Sequence, residues 1–504
     1  MCYVAAGRTA LRNGPVAQTA AEIMDPVMDQ RTTRLGEERV GKLLWNFSLP
    51  AVAGMVVGSL YTVIDRAFLG NVVGGDAIAG ISVCMPISFV LLAFGMLIGI
   101  GTGALVSIRL GQQKKQEAEQ ILGNALGLIV LASAVLTPVF LLTLDPLLTL
   151  FGASPQTLPY GRQFMRVILL GCFFQYASFG LNALIRAEGN PRLAMATQLI
   201  NAGLNIVLDA VLILGLHFGV TGAAVATVIS QAVSACWTLA HFRSRRSVLR
   251  LRLANLRLRW NIIRPAMAIG LAPFSMHVAA SVISVLINRG LARHGGDAAV
   301  GAYGIIGALL MLILMPVFGL NQGAQPIIGY NFGAGRADRV RHTLRLAIIA
   351  ASAVVCVGFA IAESIPNQLI RGFTHDPRLL EVGTRGMRIC FAMLPVVGFQ
   401  VVSANFFQAI GKAKAALTLS LLRQVIVLIP LLLILPRLMG LDGVWAAGPI
   451  ADGVACVVTA VVLTAQLRAL SRPAEATAAS RQATDPVGSV SPRPAEPAVP
   501  PAEA

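Results

Sequence analysis

The feature that most constrains this chain is a series of twelve apolar segments, each long enough to cross a lipid bilayer. A membrane-spanning helix needs about 20 consecutive apolar residues. The composition agrees, because 56% of the 504 residues are hydrophobic and only 12% are charged. The sequence therefore predicts an all-α integral membrane protein, with spans at roughly 43–65, 79–107, 121–145, 162–184, 194–215, 219–240, 265–291, 299–327, 344–366, 386–408, 415–437 and 441–466.

The net charge of +17 is unevenly distributed along the chain. Lys and Arg are concentrated in alternate loops, and residues 241–264 carry eight arginines with no acidic residue. An excess of basic residues marks the cytoplasmic loops of membrane proteins. The pattern predicts a multi-pass protein of the bacterial inner membrane with both termini in the cytoplasm, and it argues against a nucleic-acid partner.

The two halves of the chain correspond at an offset near 222 residues, so that Gly101 and Gly111 match Gly323 and Gly333. Each half holds six spans, an even number. Both halves therefore enter the membrane from the same side, as parallel repeats do. The predicted architecture is two six-helix lobes related by pseudo-two-fold symmetry.

Five regions follow from this architecture. The two ends of the chain lack apolar periodicity and are expected to be largely disordered and cytoplasmic, with Met28 as an alternative start to Met1. The basic linker is expected to lie solvated at the membrane surface, with Trp260 as an interfacial anchor. The regions are an N-terminal segment at 1–40, an N-lobe at 41–240, the linker at 241–264, a C-lobe at 265–466 and an Ala/Pro-rich tail at 467–504.

The sequence contains no motif for transport driven by ATP hydrolysis. The phosphate-binding pattern GxxxxGK[ST] is absent, and the Gly-rich GIGTG at 99–103 lies inside an apolar segment, where close helix packing explains it. Two six-helix lobes are typical of secondary transporters. We therefore expect no cofactor.

One apolar span contains three polar residues at intervals of four. In LINAGLNIVLDAVLILGL, residues 199–216, the side chains of Asn201, Asn205 and Asp209 lie about one helical turn apart and share a face. A charge at the bilayer centre costs about 2.5–3.5 kcal/mol, so an intramembrane Asp indicates a functional site. The alternative is a structural hydrogen bond or ion pair.

Four residues at comparable predicted depth in the outer half of the N-lobe could bind a cation together. Asp65, Asn205, Asp209 and Thr227 offer two carboxylates, an amide and a hydroxyl. Hard oxygen ligands of this kind suit a small cation such as Na⁺. Two close carboxylates also favour protonation of one of them. The sequence predicts a cation-coupling site here and leaves the choice between Na⁺ and H⁺ open.

Several motifs resemble those of the multidrug and toxic compound extrusion (MATE) family, and the resemblance covers about residues 35–466. It implies twelve helices in two lobes that form a V. It also implies export of organic cations or other amphipathic compounds, including antibiotics, in exchange for H⁺ or Na⁺, with the family's N-lobe cation site at the four residues named above. The motifs are LGEERVGKLLWNFSLPAVAG, LYTVIDRAFLG, IRAEGNPRLAM, LNIVLDAVLI, GVTGAAVATVISQ and GAQPIIGYNFGAG.

The chain departs from the family pattern at two positions. Ala210 stands where family members often have Pro after the fifth-helix Asp, which predicts a locally straighter helix. Arg66 follows Asp65 in place of the commoner Thr, so an Asp65–Arg66 pair could compete with cation binding.

Polar residues in other spans are candidates to line a substrate cavity. Asn182 could instead be a hydrogen-bonded core amide. The predicted cavity residues are Tyr61, Asn182, Asn201, Gln325, Gln400 and Asn405.

The second half does not repeat the cation constellation, because Asn288 and Leu431 stand opposite Asp65 and Asp209. Coupling is therefore predicted in the N-lobe alone. The C-lobe keeps a carboxylate at Asp452 in the last span. Arg423 in the preceding span could reach it, and we expect a structural ion pair because intramembrane charges usually pair.

Two other classes of protein are alternatives to a drug exporter. A lipid-linked saccharide flippase of the same superfamily would need a basic cavity for pyrophosphate, and no cluster of arginines lies within the spans of both lobes. A membrane enzyme would need a His- or Cys-based constellation, and the six histidines are dispersed. The protein is expected to be a non-enzymatic monomer in the bilayer that binds small amphipathic or cationic substrates.

Overall fold

The computed structural model describes residues 33–72, 75–374 and 376–470, and within them every regular element is a helix. Ten helices are long and apolar enough to cross a bilayer, and two further spans are helix pairs bent by 56° and 48°. The predicted all-helical fold with twelve spans is confirmed. The spans are α1 Val40–Val72, α2 Met85–Gly111, α3 Lys115–Leu142, α4 Leu158–Leu170 with Cys172–Ala187, α5 Pro191–Gly215, α6 Gly219–Arg243, α7 Trp260–Gly296, α8 Ala298–Gly333, α9 Ala337–Ser364, α10 Pro377–Phe391 with Leu394–Ala409, α11 Ala413–Met439 and α12 Leu441–Ala469.

Short helices connect several of these spans. They are 33–37 before α1, Gly75–Val83, Leu144–Leu150, the 3₁₀ turn Leu253–Leu256 in the linker, and Pro366–Arg371. The helix of α7 and α8 is interrupted at Gly296, whose φ of 65° is left-handed. Glycine adopts this conformation without the steric cost of a Cβ, so the kink between the two helices forms there.

The two lobes, α1–α6 and α7–α12, approach each other closely between α2 and α7. A Cβ on Gly101 would lie 2.1 Å from the carbonyl oxygen of Ala266, and one on Gly270 would lie 1.9 Å from that of Leu97. Only glycine permits such an approach. The predicted packing role of GIGTG is confirmed. These contacts lie in the half of α2 that ends beside the linker, and we call this end of the molecule the linker side.

The last part of the N-terminal segment 1–40 is ordered, and the predicted disorder of the rest stays a prediction. Residues 33–37 form a helix in which Leu35 is fully buried. The side-chain amide of Asn331 donates to the carbonyl oxygen of Leu35 at 2.9 Å, and Arg339 donates to that of Glu38 at 2.6 Å. Donors from the C-lobe therefore order a segment that has little apolar surface of its own. Residues 1–32 and the tail from 471 lie outside the described residues.

The linker, which the sequence predicted to be solvated, is exposed over much of its length but has a buried part. Ser247, Val248 and Leu249 are buried, and the carboxylate of Glu188 accepts hydrogen bonds from the Ser247 hydroxyl at 2.6 Å and the Val248 amide at 3.2 Å. Because Glu188 follows α4, these bonds fasten the linker to the N-lobe.

A second anchor lies further along the linker. The side chain of Asn124 in α3 donates to the carbonyl oxygen of Asn255 at 3.2 Å and accepts from the amide of Arg259 at 2.7 Å. Trp260 follows directly and is 73% exposed, so its proposed role as an interfacial anchor stays a prediction.

Candidate functional site

Asp209 occupies the point in α5 where the hydrogen-bonding pattern of the helix changes. The α-helical part ends at Asp209 and continues as a π-helix over Ala210–Gly215. Its side chain is 0% exposed, and neither carboxylate oxygen accepts a hydrogen bond within the described residues. An intramembrane carboxylate without a donor needs a cation or a proton.

The expected straightening of α5 at Ala210 stays a prediction. The π-helix begins at this residue even though the proline is absent. Insertions of π-helix within α-helices occur frequently at functional sites, because they free backbone groups and redirect side chains. Here the change follows directly after the buried carboxylate of Asp209.

Asn205 and Thr227 join α5 to α6 one turn from Asp209. The side-chain nitrogen of Asn205 lies 3.4 Å from the hydroxyl oxygen of Thr227, to which it donates. Thr227 in turn donates to the carbonyl oxygen of Ala223 at 3.0 Å. The side-chain oxygen of Asn205 is left buried without a donor in the described residues, so it is free to coordinate a bound cation or accept from a water.

Asp65 lies on α1, which packs against α5 and against the π-helix that follows Asp209. Its side chain is half-buried, and its carboxylate is close enough to that of Asp209 for the two negative charges to repel each other. The structure thus brings together the four residues that the sequence singled out. The side chain of Arg66 lies outside the described part of the structure, so its competition for Asp65 stays a prediction.

The polar stripe on α5 is lined by acceptors. The side-chain oxygens of Asn201 and Asn205 and both oxygens of Asp209 are buried and accept no hydrogen bond from the described residues. Buried polar atoms are normally paired. A row of unpaired oxygens at four-residue spacing is the environment in which a small cation replaces the missing donors.

Of the predicted cavity residues of the N-lobe, Asn182 has a structural role. Its side-chain nitrogen donates to the carbonyl oxygen of Ala194 at 2.8 Å, and its oxygen accepts from Arg186. Asn182 is 3% exposed, so the alternative of a satisfied core amide describes it correctly. The side chain of Tyr61 lies outside the described part of the structure.

The C-lobe candidates lie on α8 and α10, which touch each other. The side chain of Asn405 donates to the carbonyl oxygen of Asn321 at 3.3 Å. Gln400 is 5% exposed with its side-chain oxygen unpaired, and the side-chain nitrogen of Gln325 is also buried and unpaired within the described residues.

Sequence reasoning missed further polar residues in this region. The side-chain oxygens of Asn321, Gln322 and Ser403 are buried and unpaired among the described residues. The signal was spacing, because Asn321 lies one turn before Gln325 and Ser403 one turn after Gln400.

Arg423 and Asp452 form the ion pair expected in the C-lobe, with 2.5 Å between the guanidinium nitrogen and the carboxylate oxygen. Arg423 lies in a second π-helix, Leu422–Leu428. At the offset of the repeat, Arg423 corresponds to Asn201 of the polar stripe. The C-lobe therefore has a closed ion pair where the N-lobe has unpaired acceptors.

The fold and this arrangement define a two-lobed membrane transporter. The family model MatE matches the chain twice, at residues 50–211 and 273–434, once in each lobe. The chain belongs to the MatE family and is an efflux transporter, as the motifs indicated. The spacing of the two matches agrees with the internal offset near 222 residues.

Several known proteins are similar over nearly their whole length. The multidrug export protein MepA of Staphylococcus haemolyticus (strain JCSC1435) is 28% identical over 440 residues, or 87% of this chain and 96% of the relative. The solved structure of the MATE multidrug transporter DinF-BH in complex with a rhodamine dye is 40% identical, with a TM-score of 0.80 over 85% of this chain and 96% of that one. A MOP superfamily transporter from Pyrococcus furiosus, 23% identical over 87% and 98% of the two chains, shares the fold with a TM-score of 0.82.

Proposed function

We propose that the chain is a secondary active antiporter that exports organic cations or other amphipathic compounds in exchange for H⁺ or Na⁺. The observation that carries this proposal is the carboxylate of Asp209, which is fully buried and unpaired within the described residues. Further support comes from two relatives, since MepA is named a multidrug export protein and DinF-BH was solved in complex with a rhodamine dye.

The coupling step follows from the cost of burying charge. While Asp209 and Asp65 are both charged, their repulsion and their need for water favour an open, hydrated N-lobe. When H⁺ or Na⁺ neutralises Asp209, with Asn205 and Thr227 as further oxygen ligands, a contracted lobe is tolerated. A cation shifts the transporter between two states only by its difference in affinity for them, and burial of Asp209 supplies that difference.

The cargo is proposed to bind between the lobes, where Tyr61, Asn201, Gln325, Gln400 and Asn405 are the polar candidates. We further propose that the protein works as a monomer in the bacterial inner membrane, with the linker side facing the cytoplasm. Cation and cargo would then exchange through a cleft that opens on the opposite side, because the lobes touch on the linker side.

Transport by the purified protein in lipid vesicles tests the proposal, with rhodamine as a fluorescent probe. An imposed pH gradient or an imposed Na⁺ gradient is expected to drive rhodamine against its own gradient, and the effective gradient identifies the ion. Asp209→Asn is expected to abolish the response. Movement of rhodamine that is the same with and without a gradient would overturn the proposal.

A further inference from the structure

A cavity of about 280 Å³ lies on the linker side, between helices of both lobes. The end of α2 contributes Arg109, the start of α3 contributes Glu117 and Gln120, and the start of α7 contributes Asn261. The cavity is remote from the Asp209 site, since these residues lie near the ends of their helices on the linker side. The proposed antiport leaves it without a role.

The lining of this cavity changes from polar to apolar along all three helices. Leu105, Ile121 and Pro265 also line it, and each lies four residues further into the membrane than a polar lining residue of the same helix. Four residues of α-helix rise about 6 Å. Gln120 and Ile262 depart from this order, but the charged residues lie at the rim and Leu105, Ile121 and Pro265 form a mostly apolar floor. A phospholipid changes in the same direction, from its charged headgroup to its acyl chains.

The ion-pair cluster at the rim, in which Lys114 lies beside the lining residues Arg109 and Glu117, carries one excess positive charge. Arg109 lies 3.1 Å from one carboxylate oxygen of Glu117, and Lys114 lies 3.0 Å from the other. Two cations thus share a single anion, and all three side chains are partly exposed. A singly charged phosphodiester would balance the rim, whereas a ligand ammonium would find Glu117 already occupied.

The surroundings indicate that the ligand comes from the bilayer. Trp260 is 73% exposed and Leu258 is 41% exposed, and exposed Arg257 and Arg259 alternate with them just before α7. Aromatic and apolar side chains mixed with arginine are typical of the membrane–water interface. Basic pockets between spans on the cytoplasmic side, where we propose that the linker side lies, suit the headgroups of anionic lipids.

We propose that this cavity binds the phosphodiester headgroup of an anionic glycerophospholipid from the leaflet on the linker side. The phosphate contacts Arg109 and Lys114 at the rim, and the upper acyl chains contact Leu105 and Ile121. Because Asn261 belongs to the C-lobe and Arg109 to the N-lobe, the lipid bridges the lobes beside the close contact of α2 with α7. Bound lipid therefore stabilises the conformation in which the linker side is closed.

Two substitutions that break the Arg109–Glu117 ion pair distinguish a lipid-binding role of these residues from a purely structural one. Arg109→Gln removes the phosphate ligand and is expected to weaken binding of phosphatidylglycerol about tenfold. Glu117→Gln removes the competing anion and is expected to strengthen it. Arg243→Gln, an exposed arginine at the end of α6, is the matched control and is expected to leave binding unchanged.

The measurement is native mass spectrometry of the full chain in detergent, titrated with phosphatidylglycerol or phosphatidylcholine, together with the shift in unfolding temperature. Selective retention of phosphatidylglycerol with opposite effects of Arg109→Gln and Glu117→Gln supports the proposal. Equal weakening by both, or no change in either, overturns it.

Two further arms keep the test decisive. Gln120→Trp fills the cavity without changing its charge and is expected to abolish selective retention, so unchanged retention overturns the proposal even if a charge variant fails to fold. Glycerol 3-phosphate at the same concentration is expected to give no stabilisation, because it lacks acyl chains for the apolar floor. Equal stabilisation by this soluble phosphate would rule out a lipid site.

Discussion

The side-chain amide of Asn205 donates to the hydroxyl of Thr227 across 3.4 Å, and this hydrogen bond connects α5 to α6 beside the unpaired carboxylate of Asp209. The bond leaves the side-chain oxygen of Asn205 without a donor in the described residues, and it holds the Thr227 oxygen near the same site. It therefore orients two of the proposed cation ligands at once.

Replacement of Thr227 tests this orientation. Thr227→Val keeps the shape of the side chain but removes the acceptor, which leaves a buried amide unpaired at a cost of about 1–3 kcal/mol. We expect a lower unfolding temperature and a higher ion concentration for half-maximal rhodamine efflux. Thr227→Ser, which keeps the hydroxyl, is the control. Wild-type ion dependence in the Val variant would contradict the assignment.

Asp209→Asn removes only charge. We expect normal abundance in the membrane and rhodamine efflux at the background of cells without the transporter, because a neutral amide cannot discriminate loaded from empty states. Asp145→Asn, at a partly exposed carboxylate that pairs with Arg162, is the matched control and should leave efflux intact. Asn288→Asp in the C-lobe is expected not to rescue the loss. Efflux at the wild-type rate would make Asp209 a structural residue.

The Arg423–Asp452 pair is expected to stabilise the C-lobe without taking part in coupling. Removing one partner, as in Asp452→Leu, leaves a mostly buried charge uncompensated at about 3–5 kcal/mol. The double variant Arg423→Met with Asp452→Leu should recover most of the unfolding temperature and keep the ion dependence of efflux. A double variant that is stable but uncoupled would show that the pair belongs to the mechanism.

Gly101→Ala tests the contact between the lobes. The added Cβ would lie 2.1 Å from the carbonyl oxygen of Ala266, so the helices must separate, at a cost of about 1–3 kcal/mol. Gly304→Ala on α8 meets no atom within 4 Å and is the control. We expect the unfolding temperature to fall for the first variant and not for the second. Equal values would mean that the lobes do not depend on this approach.

Topology is testable with two matched substitutions at exposed arginines. Arg245→Cys in the linker should resist an impermeant thiol reagent in intact cells, and Arg293→Cys at the far end of α7 should react, relative to the parent chain. The expectation rests on the basic loops facing the cytoplasm. The reverse labelling would invert the orientation of the transporter.

The spans and the polar stripe were predictable because each follows from a local period. Twenty apolar residues have few alternatives to crossing a bilayer, and Asn201, Asn205 and Asp209 share a face by helical geometry alone. The C-lobe pair of Arg423 and Asp452 followed from the cost of an unpaired intramembrane charge.

Features that depend on contacts between distant segments were not predictable in this way. The burial of Ser247 depends on Glu188, which lies 59 residues earlier. No pattern in the arginine-rich linker indicates that Glu188 is its hydrogen-bond partner. The ordering of Leu35 depends on Asn331. The π-helix at Ala210 has no period of its own, since it differs from an α-helix only in one step of the hydrogen-bonding pattern.

The fastening of the linker to the N-lobe has a mechanical consequence. The last contact of the linker with the N-lobe is the hydrogen bond from the backbone amide of Arg259 to the side-chain oxygen of Asn124. The next residue, Trp260, already begins α7, so no flexible segment lies between this contact and the C-lobe. This connection is a point about which α7 could rotate relative to the N-lobe. Since the 37 residues of α7 extend about 55 Å, a rotation of about 10° about this point would sweep the opposite end through about 10 Å. A small rotation on the linker side would thereby move the far end of α7 by a much larger distance.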